Sequence, residues 1–224
     1  MNIYILVEGK QTERKVYPAW LEHLAPSIRR IESLSQLKDN NYYLISGQGY
    51  PHMLDNMLKN SLLDINQYKK FDAFWVVLDS DFCDLEERKK FILDRIKETS
   101  IDIGACSVEI IFQNPCIETW ALGNKSMISH NQLHAEFSDY FYHFNVKDND
   151  PELMRKPDDF SFSDSAYHGD YLKAMLSVRG IRYTKKNPQG VIEKYYLDEL
   201  IERAQDGNGH LKSFFHFYQL ASSL

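Results

Sequence analysis

FDAFWVVLDSDFCD, residues 71–84, is the stretch that decides the fold. From Phe71 to Leu78 it is almost wholly apolar and rich in aromatic and β-branched side chains, as expected of a strand buried on both faces. It runs directly into an acidic loop that carries Asp79, Asp81 and Asp84, and helical spacing resumes from Leu85 to Ile96. The same strand, turn and helix order recurs on either side. Ile3 to Val7 is a short apolar run ended by Glu8-Gly9, after which Val16, Tyr17, Trp20, Leu21 and Leu24 follow a helical period up to Pro26. Tyr42 to Ile45, the turn SGQG at 46–49 and the face formed by Met53, Leu54, Met57, Leu58 and Leu62 give a second unit. Ser107 to Phe112 supplies a fourth strand, followed by Gln113-Asn114-Pro115 and a short helix from Cys116 to Leu122. Four strands that alternate with helices predict an α/β fold with a largely parallel sheet covered on both faces, and chemistry beyond the carboxyl ends of the strands.

The chain of 224 residues carries 26 Lys and Arg against 32 Asp and Glu, a net charge of −6. A global basic excess of the kind that advertises a nucleic-acid partner is therefore excluded, and any such contact has to use a local patch or metal ions. The apolar fraction of 43% suffices for a packed core and rules out disorder over most of the chain. No apolar run reaches the length of a membrane span, and the N-terminus reads as a strand, not a secretory leader, so no membrane association is expected. Cys83, Cys106 and Cys116 match neither a disulfide framework nor a zinc site, which points to buried thiols and a cytoplasmic setting. From about Asn124 the character changes. Residues 148–165 read as a polar surface loop, and helices are expected from Ala166 to Val178, from Val191 to Ala204 and in the aromatic segment LKSFFHFYQLASSL.

Glu8 follows one strand, Asp79 and Asp81 another, so a parallel sheet brings the three carboxylates to one edge. Such a cluster repels itself unless a hard cation sits within it, and the oxygen-only donor set suits magnesium or manganese. Asp84 is either a further ligand or the N-cap of the helix that follows. Glu13 either joins the cluster or simply favours the first turn of its helix. Gly9 permits a positive φ or a close approach of phosphate to the helix start, and Lys10 and Arg14 lie near the same point. Glu118 faces the same edge if Ile117 and Trp120 are core residues; otherwise it caps its short helix. Arg179, Arg182, Lys185 and Lys186 make the best local basic patch, available to phosphate or to solvent. The pair His130 and His134 lacks the central Glu of a zinc-hydrolase motif, so no zinc site is expected.

LVEGKQTE at 6–13 followed by VVLDSD at 76–81 resembles the paired motifs of the TOPRIM fold, the nucleotidyl-transfer and hydrolase domain of topoisomerases, primases and overcoming-lysogenization-defect nucleases. The segment FQNPCIETWAL at 112–122 resembles the Asn-Pro-x-x-Glu-x-Trp segment of small RloB-like proteins from prokaryotic defence settings, and Tyr183-Thr184-Lys185 resembles a Tyr-x-Lys element. The resemblance implies a three-layer TOPRIM-like catalytic core over residues 1–125 and a mostly helical extension over 126–224. It implies metal held by Glu8, Asp79 and Asp81, to which the residues themselves add Asp84 from the loop, with Glu8, Glu13, Asp79, Asp81, Glu118 and Lys185 as catalytic residues and Mg²⁺ or Mn²⁺ as cofactor. The function implied is a metal-dependent endonuclease acting on DNA or RNA. A non-catalytic binding or sensor subunit and a small-molecule phosphohydrolase stand as alternatives. No Walker lysine motif occurs, so ATP-driven control is expected from a separate ATPase or sensor partner, and the aromatic last helix is a place for a homo-oligomer contact.

Overall fold

In the computed structural model, residues 1–128 and 135–224 are described. Five parallel strands form one sheet: β1 (Ile3–Val7), β2 (Arg29–Ile31), β3 (Asn41–Ser46), β4 (Ala73–Asp79) and β5 (Ser107–Gln113), in the order β2-β3-β1-β4-β5. β1 lies between β3 and β4, with Val7 opposite Ser46 on one side and Val77 on the other. All five residues of β1 are buried, because both faces of a central parallel strand are covered. Ile3, Ile5 and Val7 pack into one hydrophobic cluster, while Tyr4 and Leu6 pack into the other.

The second cluster is closed by α2 (Leu58–Tyr68) and α3 (Leu85–Glu98), through Leu58, Leu62, Ile65, Ile92 and Ile96. The first cluster is covered by α1 (Glu13–Leu24), α4 (Ile117–Ala121), α6 (Asp164–Ser177), α7 (Lys194–Gln205) and α8 (Lys212–Ser222). Its centre is aromatic: Trp120 and Phe217 stack with ring centroids 5.7 Å apart, and Trp20 meets Phe214 edge-on at 5.7 Å. The aromatic segments of α5 (Ala135–His143) and α8 thus serve packing, as with Tyr140 stacked on Tyr171 at 5.3 Å. The fold is an α/β three-layer arrangement with helices added at its C-terminal end.

β2 was not expected. It is three residues long, begins with two arginines and buries only Ile31, so it carries no local hydrophobic signal and exists through pairing with β3 at the sheet edge. The second helix runs on to Tyr68, beyond the last periodic residue Leu62, and its first part, Met53–Met57, is a π-helical turn. The polar stretch 148–165 is not simply a surface loop. Asp150, Glu152 and Met154 are buried, the Leu211 N–H donates to Asp150 and the Ser213 N–H donates to Glu152, so two carboxylates tie this segment to the start of α8. The three cysteines are free; Cys106 and Cys116 are buried, but Cys83 is only half-buried. No helix among the described residues is long and apolar enough to cross a membrane.

Candidate active site

The carboxyl ends of β1, β3 and β4 and the first turns of α1 and α4 enclose a cleft of about 410 Å³. Its lining includes Glu8, Glu13, Asp79, Glu118 and Lys185. The chain delivers each of them by a different route. Glu8 is the first residue beyond β1, and its backbone N–H donates to Val77 O at 2.9 Å, which continues the sheet pairing by one step. Its carboxylate accepts from the Asp79 N–H at 3.2 Å and from the Tyr50 N–H at 3.3 Å. Burial nevertheless pushes its pKa up, against those two hydrogen bonds.

Asp79 ends β4. Its Oδ1 is buried with no hydrogen-bond partner, and its pKa is raised well above its ordinary value by desolvation and the nearby charges of Glu13, Glu118, Glu8 and Asp81. Gln113, its register partner on β5, also has a buried, unpartnered oxygen, while its amide nitrogen donates to the Tyr17 hydroxyl at 3.0 Å. Two orphaned oxygens at paired strand ends are the feature a bound cation or water would satisfy. Asp81 is exposed, sits at a positive φ of 45° and accepts from Ser165 Oγ at 2.9 Å, so α6 holds it at the rim.

Glu13 is 6% exposed and lies against Gly9. A Cβ at Gly9 would overlap the Glu13 carboxylate, and Gly9 has no positive φ; the glycine lets the Glu13 carboxylate lie in this place and does not serve turn geometry, contrary to the sequence expectation. Burial, opposed by its own backbone N–H and by Lys185 and reinforced by Glu118 and Glu8, pushes the Glu13 pKa up to about 7. Glu118 is 2% exposed, with Ile117 and Trp120 in the core on either side. It accepts from the Tyr183 hydroxyl at 3.2 Å and pairs with Lys185 Nζ at 3.6 Å. The Glu118 charge is the main cause of the raised Lys185 pKa, with desolvation opposing it. Thr12 Oγ1 donates to Lys185 O at 3.4 Å, and Lys15 Nζ donates to Lys186 O, so the start of α1 anchors the whole Tyr183-Thr184-Lys185 segment.

Other candidates are placed elsewhere. Asp84 accepts from the Glu87 N–H at 2.9 Å as the N-cap of α3 and does not line the cleft. Lys10 lines the cleft, but Arg14 is exposed outside it, and Arg179 donates to Ser126 O and Met127 O. The basic patch is therefore divided, with only Lys185 reaching the carboxylates. His130 and His134 lie outside the described residues. His168 is fully buried between Thr119 and Met154 O, and burial lowers its pKa to about 4, which marks a neutral structural ring. Among the described residues no three His, Cys, Asp or Glu side chains already stand close enough to hold a metal ion. Sequence reasoning missed Gln113 and Thr12, because neither strand-end polarity nor a first-turn threonine signals a long-range partner.

No curated protein and no solved structure matches this chain. A family model described as RloB-like protein matches residues 3–204, a span that contains the cleft, the carboxylates of all three acidic motifs and Lys185. The chain belongs to the RloB-like protein family.

Proposed function

We propose that the protein is a divalent-metal-dependent hydrolase of phosphodiester bonds in nucleic acid. The observation that carries this reading is the convergence of Glu8, Glu13, Asp79 and Glu118 with Lys185 on one cleft, with Asp79 Oδ1 buried and unpartnered. The oxygen-only donor set and that orphaned atom suit magnesium or manganese, and Glu8, Asp79 and Asp81 would hold the ion. Bound there, the cation supplies Lewis acidity toward the phosphodiester and offsets the repulsion among the carboxylates. Asp84, committed to its helix cap, is left out of this set.

The chain's own residues supply the rest. Lys185 brings a positive charge to an acidic cleft and can bind a phosphate oxygen that the carboxylates alone would repel. Glu118 and Tyr183 fix the position of that lysine segment. Glu13, buried in the same cleft, is placed to give a proton to a departing oxygen.

A specific feature favours a second reading. The carboxylates do not yet stand at metal-holding spacing among the described residues, as expected of a non-catalytic subunit that uses the cleft to bind a partner. Cleavage of single- and double-stranded DNA and RNA with Mg²⁺ or Mn²⁺ tests the first reading. Glu8→Gln and Asp79→Asn should each lose nearly all cleavage with the fold retained, and Lys185→Ala should lose about ten-fold, equivalent to ~1.4 kcal/mol of transition-state stabilisation. Cleavage that persists in both carboxylate variants sinks the assignment. Saturable Mn²⁺ binding that disappears in those variants excludes the non-catalytic subunit.

A further inference from the structure

Two arginines beside the carboxylates lie over aromatic rings and have no ion-pair partner among the described residues. Arg88, in the first turn of α3, holds its guanidinium 4.9 Å from the centre of the Tyr50 ring. Arg155 holds its own 3.3 Å from the centre of the Phe82 ring. The backbone of each aromatic residue adjoins an acidic residue of the cleft or its rim. The Tyr50 N–H donates to Glu8 Oε1, and the charge of Arg88 lowers the Glu8 pKa; Phe82 follows Asp81 directly, at a positive φ of 58°.

Packing accounts in part for Phe82, whose half-buried ring meets His168 edge-on, but not for Tyr50. Tyr50 is 51% exposed, whereas the other aromatic residues near the cleft, Tyr17, Trp120 and Tyr183, are buried. A guanidinium stacked on a ring keeps its N–H edge free and oriented, and that edge matches the oxygens of a phosphate. An exposed tyrosine face is a platform on which a base can stack. Bases in a duplex already stack on each other, so the platform is available only to an unpaired nucleotide. In a chain of net charge −6, two uncommitted arginines beside the acidic cleft are the local basic contacts that a polyanion needs.

We propose that Tyr50–Arg88 and Phe82–Arg155 form a track for a single-stranded polynucleotide, with Tyr50 stacking a base and the two arginines binding flanking phosphates. This deepens the hydrolase reading by naming its substrate class. It is tested by binding, which separates it from the chemistry. A fluorescein-labelled oligonucleotide, as single strand and as duplex and in DNA and RNA forms, is titrated with the protein in calcium buffer and followed by anisotropy. The single strand should bind about ten-fold more tightly than its duplex. Tyr50→Ala should lose about ten-fold for the single strand and Tyr50→Phe should restore it, since the ring and not the hydroxyl stacks. Arg88→Ala and Arg155→Ala should each reduce the salt dependence by about 0.7 in log–log slope. The three replaced side chains, Tyr50, Arg88 and Arg155, are all at least partly exposed to solvent, so melting temperatures should hold. Equal affinity for duplex, or unchanged single-strand affinity in Tyr50→Ala, overturns the track. If Tyr50-dependent binding is present but no polymer is cleaved with any metal, the track stands and the hydrolytic reading fails. If Glu8→Gln abolishes cleavage while Tyr50→Ala binds normally, the reverse holds.

Discussion

Replacing Glu13 by Gln should stabilise the metal-free protein above neutral pH. In the folded chain the Glu13 carboxyl is 6% exposed, and burial together with Glu118 and Glu8 raises its pKa from 4.5 to about 7. The unfolded chain ionises this group at pH 4.5 and above, whereas the folded chain keeps the proton until about pH 7. Its contribution to stability is therefore fully present below pH 4.5 and is lost as pH rises through about 7. A shift of that size corresponds to about 3 kcal/mol at pH 8, with part shared among the neighbouring carboxylates and Lys185. Glu13→Gln removes the charge and keeps the shape. For a chain of this length the gain equals roughly 6–12 °C in melting temperature. Thermal unfolding followed by circular dichroism in EDTA at pH 5, 6, 7 and 8 should show the two curves diverging as pH rises, with the variant the more stable. Addition of Mn²⁺ should narrow the gap at pH 8, because a cation beside Glu8 and Asp79 offsets the same repulsion. A difference in melting temperature that stays constant from pH 5 to pH 8, or a variant less stable at pH 8, would refute the reasoning.

Gly9→Ala places a methyl group where the Glu13 carboxylate lies. The long Glu13 side chain can swing away, so stability should change by no more than about 1 kcal/mol while cleavage falls about ten-fold; unchanged kinetics would show that the close approach is dispensable. Ser213→Ala removes an oxygen that accepts from Trp120 Nε1 at 2.6 Å and donates to Glu152 at 2.7 Å. The buried indole N–H loses its acceptor, while the Glu152 carboxylate keeps the backbone N–H of residue 213, and urea denaturation should register a loss of about 1–3 kcal/mol. A loss under about 0.5 kcal/mol would mean that water replaces the hydroxyl.

The central strands were legible because burial on both faces writes itself into consecutive residues. Phe74 to Leu78 and Ile3 to Val7 are apolar without interruption, and the acidic residues that follow them could only meet at one edge of a parallel sheet. The helices α1, α3, α6, α7 and α8 were legible from their period, although their ends moved by a few residues. The strand β2 was not, because its backbone hydrogen bonds with β3 define it and its side chains do not.

Within the site, the acidic residue types and their strand-end placement were fixed by local sequence, and so was the short helix that carries Glu118. What local sequence left open was how these groups relate to one another. Asp84 could cap or ligate, and only the hydrogen bond from Glu87 decides for the cap. Glu13 could decorate a helix start, and only its contact with Gly9 and the charges around it lift its pKa toward neutrality. Lys185 belongs to the cleft because Tyr183 reaches Glu118 across 65 residues of chain and Thr12 holds the same segment across 173. The carboxyl groups of residues 150 and 152 are buried because they satisfy N–H groups at the start of α8. The physical reason is common to all of these. Apolar periodicity reports how much water a segment avoids, which each residue shares with its neighbours in sequence, whereas a carboxylate's partner, charge state and role depend on groups that only the folded chain brings within a few ångströms.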